Sequence, residues 1–432
     1  MVAFLHSRTL ESLEVRDFRW LWISSMAAFV AMQMQMVARG WLVYDLTESP
    51  MALAWVMASM ALPMSVFSLV GGAIMDRVPK RNLLGWSLLG SATITVAVAV
   101  LIHKEQIAFW HLLVAGVLNG AVISVQMPGR YSFISQLVGD SRLVNANALL
   151  NAGMNLSRIA SPALAGVLIG VIGTAGVYDI MVVCYIFGAL AVFVMRHRGE
   201  PVGRSIHSVA YDVREGLVYV RGNKVVLALL VMSFVPMLFG LPYIMLLPAF
   251  AVEALDVGAD GLGILMAITG VGAILGSLMV AYLGNFRYLG LLFFVSVVFW
   301  GITLAGLSQA TGLLVAVMPL MMIGMASAVF MSINISLIQV YTASDMRGRV
   351  MGISMWTFSM MPVGLIPVSL VAEMAGTSTA YLGSAVMLMV TSMALFMVIP
   401  ALRQLRPIVD DWSAPAPALA TLGSREAVDH QR

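Results

Sequence analysis

The chain has 432 residues, of which 60% are hydrophobic and only 10% charged, with a formal net charge of +3. A mean hydropathy of +0.94 takes it well outside soluble proteins, in which about half the residues are apolar and about a quarter charged. So small a charge gives no sign of nucleic-acid binding, and one cysteine, Cys184, excludes a disulfide or a cysteine-based metal site within the chain.

The apolar residues gather in uncharged runs of about 20, the helix length that crosses about 30 Å of hydrocarbon. They lack the two-residue alternation of a membrane barrel, so helices are the remaining way to satisfy the backbone in lipid. Residues 1–19 carry Glu11, Glu14, Arg16, Asp17 and Arg19 without a central apolar stretch, and read as a polar cytoplasmic segment rather than a cleaved signal peptide. Six spans follow at 20–44, 51–75, 83–102, 108–128, 148–171 and 177–195, forming an N-terminal half over 20–195. The loop 196–224 places Val209, Val213, Leu217 and Val220 at helical spacing beside Asp212, Arg214, Glu215 and Arg221. That pattern predicts an amphipathic helix, lying either on the inner membrane surface or packed on the bundle. Six more spans at 225–250, 261–283, 288–308, 312–335, 350–373 and 381–399 make a C-terminal half over 225–399. The tail, 400–432, has Pro415 and Pro417 among alanines and is expected to be disordered. The predicted fold is an all-α integral membrane protein of twelve helices in two pseudo-symmetric six-helix halves.

Of the 24 Lys and Arg, 21 fall in the N-terminal segment, the tail and every second loop, counting Arg130 with Arg142 after span four. Lys104 lies on the opposite side, while Arg39 and Arg158 fall within spans. The positive-inside rule therefore predicts a multi-pass protein of a bacterial-type inner membrane with both termini cytoplasmic. An internal repeat supports two halves. Leu69-Val-Gly-Gly-Ala-Ile-Met75 aligns with Ile274-Leu-Gly-Ser-Leu-Met-Val280, and Gln136, Asp140 and Arg142 match Gln339, Asp345 and Arg347.

The loop after span two reads Gly71-Gly72-Ala-Ile-Met-Asp76-Arg77-Val-Pro-Lys80-Arg81. Its glycines permit close helix approach, and Asp76 is placed to accept N–H groups at another helix's N-terminus. Arg77 and Arg81 offer forked donors to a carboxylate across the inner seam. Further stretches are Asp17-Phe-Arg-Trp20, Trp41-Leu-Val-Tyr44-Asp45, Asn155-Leu-Ser-Arg158-Ile-Ala-Ser-Pro162 and Asp345-Met-Arg347-Gly-Arg349. Together they resemble the major facilitator superfamily, and within it the enterobactin-exporter-like and macrolide-efflux-like branch, over residues 14 to 400. The resemblance implies alternating access and export of organic molecules driven by an ion gradient, usually of protons. It also makes Pro162 and Gly166 similar to the span-five element associated with antiport. Three places depart from the pattern. Ala281 and Tyr282 stand where a second Asp-Arg pair belongs, leaving Arg347 and Arg349 as cations of the second gate. Gly116 occupies the place of a frequent span-four arginine, and no acid lies near Met32.

Charges within spans are costly and are functional candidates by default. Arg39 shares a helical stripe with Met32 and Gln35, Arg158 shares one with Asn151, Asn155 and Pro162, and span four adds Asn119 and Gln126. Tyr243 and Trp356 are candidates to stack on a substrate, and abundant methionine suits a pocket for varied apolar ligands. Each has a plainer alternative: Arg39 as an interfacial anchor, Arg158 as an interhelical staple, the methionines as filler. No Asp, Glu or His falls in the middle of a span, so a proton carrier would have to be an acid near the outer mouth, such as Asp45, Glu253 or Glu373, with Arg39 as counter-charge. Cations without matching anions favour an anionic or oxygen-rich substrate. The expected partners are a small-molecule substrate, the lipid bilayer and a coupling ion, with H+ foremost, acting on a monomer without a cofactor. No nucleotide-binding Gly-Lys motif, paired metal ligands or nucleophile elbow is present, so no enzyme is expected. An exporter, an uptake permease or uniporter, and a non-transporting sensor or scaffold remain as readings.

Overall fold

The computed structural model describes residues 11–75, 78–200, 209–283, 289–343, 346–358 and 360–403. All regular elements among them are helical. In the first half these are α1 (Arg16–Thr47), α2 (Pro50–Met75), α3 (Lys80–His103) and α4 (Phe109–Val138). A 54-residue helical stretch then reverses at Gly173, whose φ of 73° is left-handed, giving α5 (140–172) and α6 (174–193). After α7 (Val209–Gly222) comes α8 (Lys224–Glu253), which passes through one widened π-turn at Pro236–Gly240, between prolines that withhold backbone donors. Then follow α9 (Ala259–Leu283), α10 (Leu289–Leu307) and α11 (Leu313–Tyr341). A broken segment, α12 (Arg347–Phe358) with α13 (Met361–Ala375), precedes α14 (Thr377–Val398). Ten helical stretches are long and apolar enough to cross a membrane. Dividing one at Gly173 and joining α12 with α13 is consistent with twelve crossings.

The halves repeat one packing plan. In the first, α2 lies along α4 and α1 along the α5–α6 hairpin; in the second, α9 lies along α11 and α10 along α11 and α14. Gly120 of α4 sits against the Met60 carbonyl of α2, and Gly324 of α11 against the Thr269 carbonyl of α9. A side chain at either glycine would collide with backbone, so both pairs depend on a bare Cα for their spacing.

Polar contacts define a basic and an acidic face. On the basic face Asp17 accepts the N–H groups of Arg196 (3.1 Å) and His197 (2.7 Å), and Arg142 pairs with Glu11 (3.2 Å) and Glu14 (3.3 Å). The acidic face carries Asp45, Glu48, Glu105, Asp179, Glu253, Asp256, Asp260 and Glu373 at helix ends. Helix α7 is docked on the basic end of the second half. Glu215 pairs with Arg349 at 3.2 Å, and the Tyr219 hydroxyl accepts the Ala343 N–H at 3.0 Å. Asn223 links α7 to α8 by accepting the N–H groups of Val225 and Val226, while its amide donates to the Tyr341 carbonyl.

One charge is misplaced by the sequence reading. Arg130, counted there as a loop cation, lies inside α4 and is only 2% exposed. The helix does not stop at Pro128 but runs on to Val138.

Candidate functional site

Four predicted binding residues lie inside the first half. Gln35 and Arg39 of α1 and Asn119 and Gln126 of α4 are all buried. Arg39 donates weakly to the Met60 sulfur at 3.6 Å and lies in electrostatic range of Tyr178 and Tyr185 of α6. Its Nε has no hydrogen-bond partner, and neither do the two polar atoms of the Asn119 amide. The expected pairing of Arg39 with a rim acid is not found among the described residues. Gln126 is held by donating to the Ser87 carbonyl (3.3 Å) and the Ser91 hydroxyl (3.1 Å) of α3.

The others lie elsewhere. Asn155 and Arg158 of α5 are exposed, with Arg158 in electrostatic range of Tyr243 of α8. Tyr243 is itself buried in the second half, where the Tyr381 hydroxyl donates to its carbonyl at 2.8 Å. The helix containing Trp356 is described but its side chain is not, and Asp76, Arg77, Asp345 and the surroundings of Gly72 lie outside the described residues. The eight candidates therefore form no single cluster. The stripe of Gln35 and Arg39 and that of Asn119 and Gln126 face protein, whereas Asn155 and Arg158 are exposed.

A small cleft of about 10 Å³, room for a single water, lies between α1, α4 and α6, lined by Phe29, Met32, Gln126, Met127, Arg130 and Tyr185. Arg130 lays its guanidinium over the Phe29 ring, 4.7 Å from the centroid. The sequence held the clue. Asn119, Gln126 and Arg130 are spaced by seven and four residues, one face of a helix that continues past Pro128.

The seam between the halves is bonded at its acidic end. Gly166 of α5 packs directly on Gly263 of α9, with Pro162 buried on the same stretch of α5. Glu253, ending α8, accepts from the Tyr44 hydroxyl of α1 at 2.9 Å and from the Thr377 N–H opening α14 at 3.3 Å. Glu373, ending α13, accepts from the Ser49 hydroxyl (2.8 Å) and the Met51 N–H (3.2 Å) at the start of α2. Both carboxylates thus meet helix N-termini, where unpaired N–H groups favour negative charge. Among the described residues no hydrogen bond or ion pair joins the halves at the basic end. Arg81 donates to the Met195 carbonyl of its own half at 2.8 Å, rather than across the seam. Arg347 donates to the Gln339 (3.0 Å) and Thr342 (3.3 Å) carbonyls at the end of α11. No group of three His, Cys, Asp or Glu among the described residues is disposed to hold a metal.

The sequence model of a family described as transmembrane secretion effector matches residues 7–424. Macrolide efflux protein A of Streptococcus pyogenes is 22% identical over 401 residues, covering 90% of this chain and 97% of that protein. The enterobactin exporter of Shigella flexneri is 24% identical over 79% of this chain and 82% of its own. A bacterial homologue of the human lysosomal transporter Spinster, solved inward-facing and unoccupied, shares the fold with a TM-score of 0.72 at 12% identity. That likeness covers 93% of this chain and 98% of the other.

Proposed function

The chain is a member of the transmembrane secretion effector family of major facilitator transporters, and from that premise we propose that it exports amphipathic organic molecules across the cytoplasmic membrane. The observation that carries this reading is the likeness, over most of the chain, to an efflux protein and an exporter, beside a seam whose acidic end is bonded across the halves. The positive-inside rule assigns the basic face, with both termini, to the cytoplasm. Alternating access then loads cargo from the basic, cytoplasmic side and releases it when the bonds at the acidic end open. Efflux and export are also the stated activities of two relatives.

Buried guanidinium groups at Arg39 and Arg130, with no carboxylate beside them among the described residues, favour an anionic or oxygen-rich cargo. Protons are the proposed coupling ion. The rim carboxylates Glu253 and Glu373 accept the bonds that close the acidic end, so a proton arriving there competes with those bonds. The protein acts as a monomer and needs no cofactor.

The test is flux in proteoliposomes of known orientation, with imposed pH and voltage gradients and a panel of anionic, neutral and cationic amphiphiles. Export from the basic-face side, accelerated by an opposing proton gradient, is expected. Flux only toward the basic face would make the chain an uptake permease, and no flux of any compound would make it a sensor or scaffold.

A further inference from the structure

We infer that the pocket between α1, α4 and α6 is an anion site for the carboxylate end of an amphipathic organic molecule, with Arg130 as its anchor. This rests on the transport reading and names the cargo chemistry it implies. Arg130 is 2% exposed and carries five N–H donors. No hydrogen-bond or ion-pair acceptor for them is found among the described residues. An uncompensated buried cation is strongly unfavourable, so a position of this kind calls for an acceptor from outside the chain.

The surroundings define the acceptor. The Phe29 ring covers one face of the guanidinium, leaving its edge, which matches the two oxygens of a carboxylate. Among the described residues no acid lines the pocket, and Tyr131 and Tyr185 are the titratable neighbours of Arg130. A single fixed charge balances a monoanion and would leave a phosphate dianion uncompensated. Gln126 spends its amide N–H groups on Ser87 and Ser91, which turns its carbonyl oxygen into an acceptor for a ligand hydroxyl or amide. The cleft, about 10 Å³, has room for one water as it stands, and the flexible side chains of Met32 and Met127 must swing aside to admit the carboxylate and the apolar body behind it.

The test uses the full chain in nanodiscs of phosphatidylcholine, with 1-naphthoate as probe and 1-naphthalenemethanol as its neutral match. Calorimetry should show naphthoate binding to the wild type, weakened at least about tenfold in Arg130→Met and partly recovered in Arg130→Lys. Naphthalenemethanol should bind both proteins alike. Without ligand, Arg130→Met should melt no lower than the wild type, since it removes a cation that nothing balances. The inference is overturned if the wild type does not bind naphthoate, or if Arg130→Met binds it equally. It is also overturned if Arg130→Met melts lower while Arg130→Lys restores the melt without affecting affinity, the signature of a structural cation. Competition by inorganic phosphate or by phosphatidylglycerol would reassign the pocket to a free ion or to a lipid headgroup. Proteoliposome flux that persists when Arg130 is replaced sinks this site alone, whereas naphthoate binding without any flux sinks the export reading alone.

Discussion

The two halves share a packing plan but bury different chemistry. In the first, Gln35, Arg39, Lys80, Asn119, Gln126 and Arg130 are all buried. In the second, the buried polar residues are serines, threonines and Asn334, and no described charged side chain is buried. Asn334 is satisfied by the Ser233 hydroxyl at 3.0 Å, whereas the Asn119 amide has no partner. The offset that sets Gly120 on Gly324 sets Arg130 on Asn334 and Gln126 on Phe330, both buried and neither charged. The repeat has kept the glycine contacts that space the helices and left the buried cations, with their donors, to one half. Such donors persist where a ligand supplies the acceptor.

The sharpest way to break this comparison is to give the second half the charge of the first. Ile333→Arg, next to Asn334, places a cation on a site only 1% exposed, at a cost of several kcal/mol. Folded yield and melting temperature should fall steeply, while Arg130→Met remains folded. An Ile333→Arg protein that melts like the wild type would mean the second half is equally tolerant of charge, and the contrast would fail. A smaller effect is expected where the halves touch. A side chain at Gly166 would strike the Gly263 backbone, so Gly166→Leu should disfavour closure of the acidic end by about 1–3 kcal/mol, a shift of about tenfold in population. Spin-label distances between positions 105 and 256 should lengthen. Unchanged distances would show that this contact does not hold the seam. The smallest effect belongs to Glu373→Gln, which keeps the shape of the latch to Ser49 and Met51 but removes its charge. These bonds are exposed, so about 0.5–1 kcal/mol is expected, seen as a partial lengthening of the same distance. A lengthening as large as that in Gly166→Leu would instead make the carboxylate the principal closure.

The helices were legible because hydrocarbon imposes both length and composition, and most span ends fall within a few residues of a helix end. However, α5 begins at Asp140 rather than 148, α11 ends at Tyr341 rather than 335, and α4, ending at Val138 rather than 128, is the widest exception. That exception is instructive. Proline in a soluble helix argues for a stop. In a membrane bundle neighbours can satisfy the carbonyl it frees, and α4 runs ten residues past Pro128, taking Arg130 from an apparent loop into the interior. Periodicity showed that Gln35 and Arg39 must face protein, yet a period on one helix does not say which neighbour it meets. Here the neighbours are α2 and α6 of the same half, not the seam. Arg81 shows a related limit: its forked donors suit a carboxylate, and spacing alone does not show that one of them meets the Met195 carbonyl of its own half. For α7 the sequence left two surfaces open, and Glu215, Tyr219 and Asn223 bind it to the second half.

The claim that the first half holds the cargo is most directly tested by photolabelling the full chain with a diazirine derivative of 1-naphthoate and mapping the adducts by peptide mass spectrometry. Adducts competed by unlabelled naphthoate are predicted on α1, α4 and α6, around Phe29, Met32, Met127 and Tyr185. Competed adducts concentrated on α8 to α14 would place the cargo in the other half and contradict the account.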